Sequence, residues 1–187
     1  MNFRRVSLLL IVVSGIAAAK NQYAGIPFAS YEAYEALVNY AGEQNYAELS
    51  KCVTLLAPLF RSVRQATGED TEGEIRKAIE DKDASRAQKS VLKLIFLDMD
   101  LNLEDAAQAS DESERKQYIQ KAFSNYGFLS TAVSQEHKSL DQGIRQAFKE
   151  MFHADDRSPI ATQVKGLIGK ISTGLGETNN HGTTPFK

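Results

Sequence analysis

The sequence predicts an all-α protein, an antiparallel bundle of about five to seven helices, three of them long. Apolar residues recur at helical spacing in one segment after another. Helix-starting signals precede several of those segments: Asn45-x-x-Glu48, Thr71-x-x-Glu74, Asp111-x-x-Glu114 and Ser139-x-x-Gln142. No alternating strand pattern appears, and the gaps between helical segments are only a few residues, which favours antiparallel neighbours.

The first 19 residues read as an export signal. Arg4 and Arg5 form a basic start, Val6 to Ile16 a short apolar run, and Ala17-Ala18-Ala19 a small-residue cleavage site. The apolar run falls short of the roughly 20 residues a membrane span needs, and no later stretch is long and apolar enough. Residues 20–173 are then the helical bundle domain, and residues 174–187, which lack periodicity, a disordered tail. The protein is expected to be periplasmic or extracellular, with no stable membrane span once the signal is removed.

Ser30 can cap a short helix through Ala41, with Gly42 in the left-handed position that ends it. Asn45 opens a helix from Tyr46 to Ala66 that buries Leu55, Leu59 and Cys52. Pro58 lies on its polar side, where a lost hydrogen bond opens to water and should kink the helix without breaking it. Gly68 closes that helix, and Thr71 starts a short one carrying Ile75 and Ala78. The segment Ala84 to Ala109 follows and is the best helix in the chain. Val91, Leu92, Leu94, Ile95, Phe96, Leu97, Met99, Leu101 and Leu103 cover more than half its circumference, and Lys93, Asp100 and Glu104 mark the wet side. A helix from Asp111 to about His137 buries Phe123 and Tyr126. Ser139 caps the next, which carries Ile144, Phe148 and Met151. Ser158-Pro159 opens a last one carrying Ile160, Val164 and Leu167.

Charge and cysteine content narrow the function. Without its first 19 residues the chain loses two arginines and its formal charge moves from −2 to −4. A mildly acidic chain with no basic cluster argues against nucleic acid and anionic membranes as partners. Cys52 is the single cysteine, so no internal disulfide forms, and its place in the apolar arc predicts burial.

Three constellations carry possible chemistry. Asp98, Asn102 and Asp105 interrupt the apolar arc about one turn apart, and a lone buried carboxylate costs several kcal/mol. A partner is therefore required: Arg61, Arg64 or Arg86, a bound cation, or a tyrosine hydroxyl such as that of Tyr126. Glu150-x-x-His153 has the spacing of a di-iron ligand pair, but the motif occurs once and such sites need it twice. Met99 with His137 is a conceivable haem ligand pair, without the Cys-x-x-Cys-His that covalent attachment requires. No Gly-rich phosphate loop and no nucleophile–base pair stands out. The sequence thus points to an exported, non-enzymatic bundle that binds a partner protein or small ligand and needs no cofactor. The alternative is a metal- or haem-binding bundle, with Asp98, Asn102, Asp105, Glu150 and His153 as candidate metal ligands.

Overall fold

A computed structural model describes residues 31–136 and 138–153, together with Gly166. The export signal, His137, the helix expected after Ser158-Pro159 and the tail from residue 174 lie outside the described residues. Among the described residues the protein is all-helical, with seven helices: α1 (Tyr31–Gly42), α2 (Tyr46–Leu55), α3 (Ala57–Thr67), α4 (Thr71–Glu80), α5 (Ala84–Gln108), α6 (Glu112–Glu136) and α7 (Lys138–His153).

Several boundaries follow the local chemistry that the sequence carries. Asn45 caps α2 by accepting from the Glu48 amide at 3.4 Å. Asp111 accepts from the Glu114 amide at 2.9 Å ahead of α6, and Asp83 accepts from the Arg86 amide at 2.9 Å ahead of α5. Gly68, at φ 79°, ends α3 and donates its amide to the Arg64 carbonyl at 2.8 Å.

Other boundaries differ from expectation. The helix predicted over Tyr46 to Ala66 is two helices joined at Leu56, whose φ of −90° and ψ of 9° leave the helical region. Pro58 therefore falls in the first turn of α3, where its missing amide hydrogen has no helical acceptor to lose. The ladder still bridges the junction, through Leu56 N–H to Cys52 O at 2.9 Å and Phe60 N–H to Leu56 O at 3.2 Å. Gly42 is the last helical residue of α1, and the left-handed position falls instead on Gln44, at φ 57°. Asp70, rather than Thr71, caps α4, by accepting from the Gly73 amide at 3.3 Å. Ser139 lies inside α7, which already begins at Lys138.

By its contacts the chain divides into two compact units, one ending at Leu94 and the other beginning at Ile95, with α5 running through the boundary. In the first unit Leu37, Leu49, Val53, Leu59, Phe60, Ile75 and Leu94 are buried, and α2 lies against both α1 and α4. In the second, Ile95, Met99, Leu103, Ile119, Tyr126, Ile144 and Phe148 are buried, and α6 and α7 lie side by side. Expected core residues Leu55 and Leu101 are half-buried. Phe123 is exposed, its ring meeting Phe148 edge-on at 5.3 Å. No helix among the described residues is long and apolar enough to cross a membrane.

Candidate functional site

The polar residues expected inside the apolar arc of α5 are the natural place to look for function; Asp98 and Asn102 are half-buried and need partners, whereas Asp105 is exposed. Asp98 is half-buried, and its Oδ2 accepts from the Asn125 side-chain amide of α6 at 2.8 Å. One partner is thus a neutral amide, from α6. Arg64 and Arg86, two of the expected partners, are engaged elsewhere, with Asp70 at 3.5 Å and Asp81 at 3.6 Å. The Tyr126 hydroxyl donates to Asp141 of α7 at 2.7 Å. Asn102 turns its amide back to the Asp98 carbonyl at 2.6 Å, and so serves its own helix.

Charge completes the seam. The half-buried Lys121 of α6 feels Asp98, Asp105 and Glu114. Burial holds its ammonium below the usual lysine range, although all three carboxylates pull the other way. The Asp105 carboxyl is raised, first by burial and then by Glu104, with Lys121 opposing. Glu114, Lys121 and Asn125 recur at spacings of seven and four on α6, just as Asp98, Asn102 and Asp105 recur at four and three on α5. Two helical stripes therefore form a polar seam.

One further half-buried carboxylate lies on the side of α5 that the sequence marks as wet. Asp100 has Oδ1 buried without a hydrogen-bond partner, and burial, followed by the like charge of Glu104, pushes its carboxyl up to about 6. Lys93, also expected to be wet, has only 4% of its side chain exposed. It is held by Glu74 at 2.6 Å and Glu69 at 3.0 Å.

The remaining candidates are dispersed. Glu150 is exposed and accepts from Gln146 at 2.9 Å. His153 is exposed, with its ring edge-on to Phe152 at 5.5 Å. Met99 is fully buried, while His137 lies outside the described residues. Among the described residues no group of three or more His, Cys, Asp or Glu is placed to hold a metal ion. The Cys52 thiol is buried as expected. Burial, with a smaller push from Glu48, raises it to about 11, so little reactive thiolate exists at neutral pH.

Sequence reasoning missed Glu114, Lys121 and Asn125, although their helical spacing matched that of the stripe on α5. It also missed Asp141, whose carboxylate takes the Tyr126 hydroxyl and the Arg145 guanidinium, the latter at 3.0 Å. Burial works against this charge, but the bonds from Arg145 and Tyr126 outweigh it and hold the carboxyl below its ordinary range. Compared with known protein families, curated proteins and solved structures, the chain finds no match.

Proposed function

We propose that this chain is an exported, non-enzymatic helical protein that binds a partner protein or small ligand, and that the ligand offers a cationic group to the seam between α5 and α6. The observation that carries this reading is the gathering of acidic groups there. Three carboxylates, Asp98, Asp105 and Glu114, act on the ammonium of Lys121, with Asp98, Glu114 and Lys121 half-buried and Asp105 exposed. Charge interactions are stronger there than at an open surface, and a cationic group gains most from them. Export rests on the Arg4/Arg5 start, the short apolar run and the three alanines. A non-enzymatic role is supported by the inert setting of Cys52 and by the engagement of Asp141 with two donors.

The test is a titration of isotope-labelled protein with spermidine, followed by amide shifts. Shifts centred on Asp98, Asp105, Lys121 and Asn125, and lost in Asp105→Asn, support the reading. Absence of shifts at millimolar spermidine overturns the cationic preference. Metal analysis and a visible spectrum of the purified protein accompany it. A stoichiometric metal or a Soret band would replace this reading with the metal- or haem-binding one.

A further inference from the structure

We propose that the outer face of α7 is an interaction surface for an acidic segment of a partner protein, with the Arg145 guanidinium as its anchor. Lys138, Gln142, Arg145, Lys149 and Phe152 follow one another at spacings of four, three, four and three, so they form one stripe along the helix. The first four are exposed and Phe152 is half-buried, while Ile144, Phe148 and Met151 on the opposite side are buried. Three cations therefore share a solvent-facing stripe that holds no acid. The flanking carboxylate, Asp141, is buried and taken by the Tyr126 hydroxyl and by Arg145 itself. Among the described residues Lys138 and Lys149 form no ion pair. Elsewhere exposed lysines are paired, as Lys51 is with Glu48 at 2.7 Å and Lys77 with Asp81 at 3.3 Å.

Arg145 is set apart by how it is held. Its Nε donates to Asp141 Oδ1 at 3.1 Å and Oδ2 at 3.0 Å, and its guanidinium carbon lies 5.7 Å from the centre of the Tyr126 ring. Asp141 is fixed in turn by the Tyr126 hydroxyl at 2.7 Å. One edge of the guanidinium thus serves the fold. Its two terminal nitrogens take no hydrogen bond among the described residues, and 46% of the side chain is exposed. A planar fork already held at one edge loses little freedom when its free nitrogens meet a carboxylate. Two features of the stripe also oppose the helix by itself. Arg145 and Lys149 are like charges four residues apart, and Lys138 puts a cation on the first residue of α7, where the dipole is positive. Carboxylates from a partner relieve both. A membrane would need apolar side chains beside the cations; the stripe offers only Phe152, whose ring lies 6.0 Å from the Lys116 ammonium. Nucleic acid calls for a denser basic patch. The inference does not depend on whether the α5–α6 seam takes a cation.

Isotope-labelled full chain is titrated with an oligoglutamate peptide at low salt, and the backbone amides and arginine Nε–H signals are followed by NMR. Shifts concentrated at Lys138, Gln142, Arg145 and Lys149, and fading as salt is added, support the proposal. Absence of shifts at millimolar peptide, or shifts centred elsewhere, overturns it. Arg145→Lys keeps the charge but loses the fork, and is expected to weaken binding about tenfold; binding as tight as wild type overturns the anchoring role. Lys138→Gln with Lys149→Gln touches nothing that holds the fold, so it tests the stripe even if Arg145 variants fold poorly. It is expected to weaken binding about two- to fivefold, and unchanged binding counts against the stripe. Phosphatidylserine vesicles and a single-stranded RNA are titrated alongside. A stronger response of the stripe to either than to oligoglutamate overturns the assignment to an acidic peptide.

Discussion

Lys93 offers the clearest energetic test of the first unit, because the structure makes its two sides unequal. Its ammonium is held by Glu74 at 2.6 Å and Glu69 at 3.0 Å, with 4% of the lysine side chain exposed against 35% and 32% for the glutamates. Burial alone would lower the lysine pKa, but the hydrogen bonds to Glu74 and Glu69 outweigh it and raise the group above its ordinary value. At an effective dielectric constant of about 20 each contact is worth about 6 kcal/mol of gross attraction, most of it offset by desolvation. Removing the lysine leaves two carboxylates that can turn to water. Removing both carboxylates leaves an ammonium that cannot. Lys93→Met should therefore change stability by no more than about 1 kcal/mol, because a well-packed apolar replacement of a buried ion pair is often neutral. Glu69→Gln with Glu74→Gln should cost about 3–5 kcal/mol, the usual penalty for a stranded buried charge. Urea unfolding followed by circular dichroism measures both. A double variant within about 0.5 kcal/mol of wild type, a difference near the ordinary scatter of surface substitutions, would refute the claim that these carboxylates hold the lysine.

Three further outcomes follow from single contacts. Asp98→Asn removes the charge that receives the Asn125 amide and acts on Lys121, so it should cost about 1.5–3 kcal/mol in urea unfolding; an unchanged midpoint would mean that neither contact depends on that charge. Tyr126→Phe deletes a donor to the Asp141 carboxylate without changing the ring and should cost about 1.5–3 kcal/mol by the same assay; an unchanged midpoint would mean that Arg145 alone suffices. Thr71→Val removes a buried hydroxyl that has no hydrogen-bond partner and should be neutral or stabilising by up to about 1 kcal/mol; a clear drop in melting temperature would show that Oγ1 is satisfied by water.

Periodicity made the helices legible, and cap chemistry made many of their starts legible. Both signals are local, so both survive without knowledge of the neighbours. Asn45, Asp111 and Gly68 do what their residue types suggest. The errors arise where a second element decides the outcome. Lys93 reads as solvent-facing on a helical wheel, yet Glu69 and Glu74 of other segments allow its burial. Phe123 reads as core, yet it is exposed and meets Phe148 of α7 at its edge. Pro58 reads as a kink because a proline within an apolar-periodic run gives no hint of whether the chain restarts a helix around it, as it does here. The candidate site was half legible. The stripe on α5 stood out because Asp98, Asn102 and Asp105 violate an apolar arc, whereas Glu114, Lys121 and Asn125 lie in a less apolar helix and violate nothing.

That asymmetry bears on where function resides. A chain that departs from local rules at a cost usually does so where it acts. In the first unit the charged departure is closed, since Lys93 is buried but met by two carboxylates, and only the neutral Thr71 hydroxyl is left buried without a partner among the described residues. The second unit leaves its departures open. Asp100 keeps a buried oxygen without a donor, Asp105 is raised by its surroundings, and three carboxylates act on Lys121. A purely structural helix would be improved by replacing Asp100 with a neutral isostere. If Asp100→Asn proves both more stable at neutral pH and unchanged in its response to spermidine, the open carboxylate stands apart from the cation site. If the same change also weakens the spermidine shifts, Asp100 belongs to that site, and the stability it forgoes serves binding.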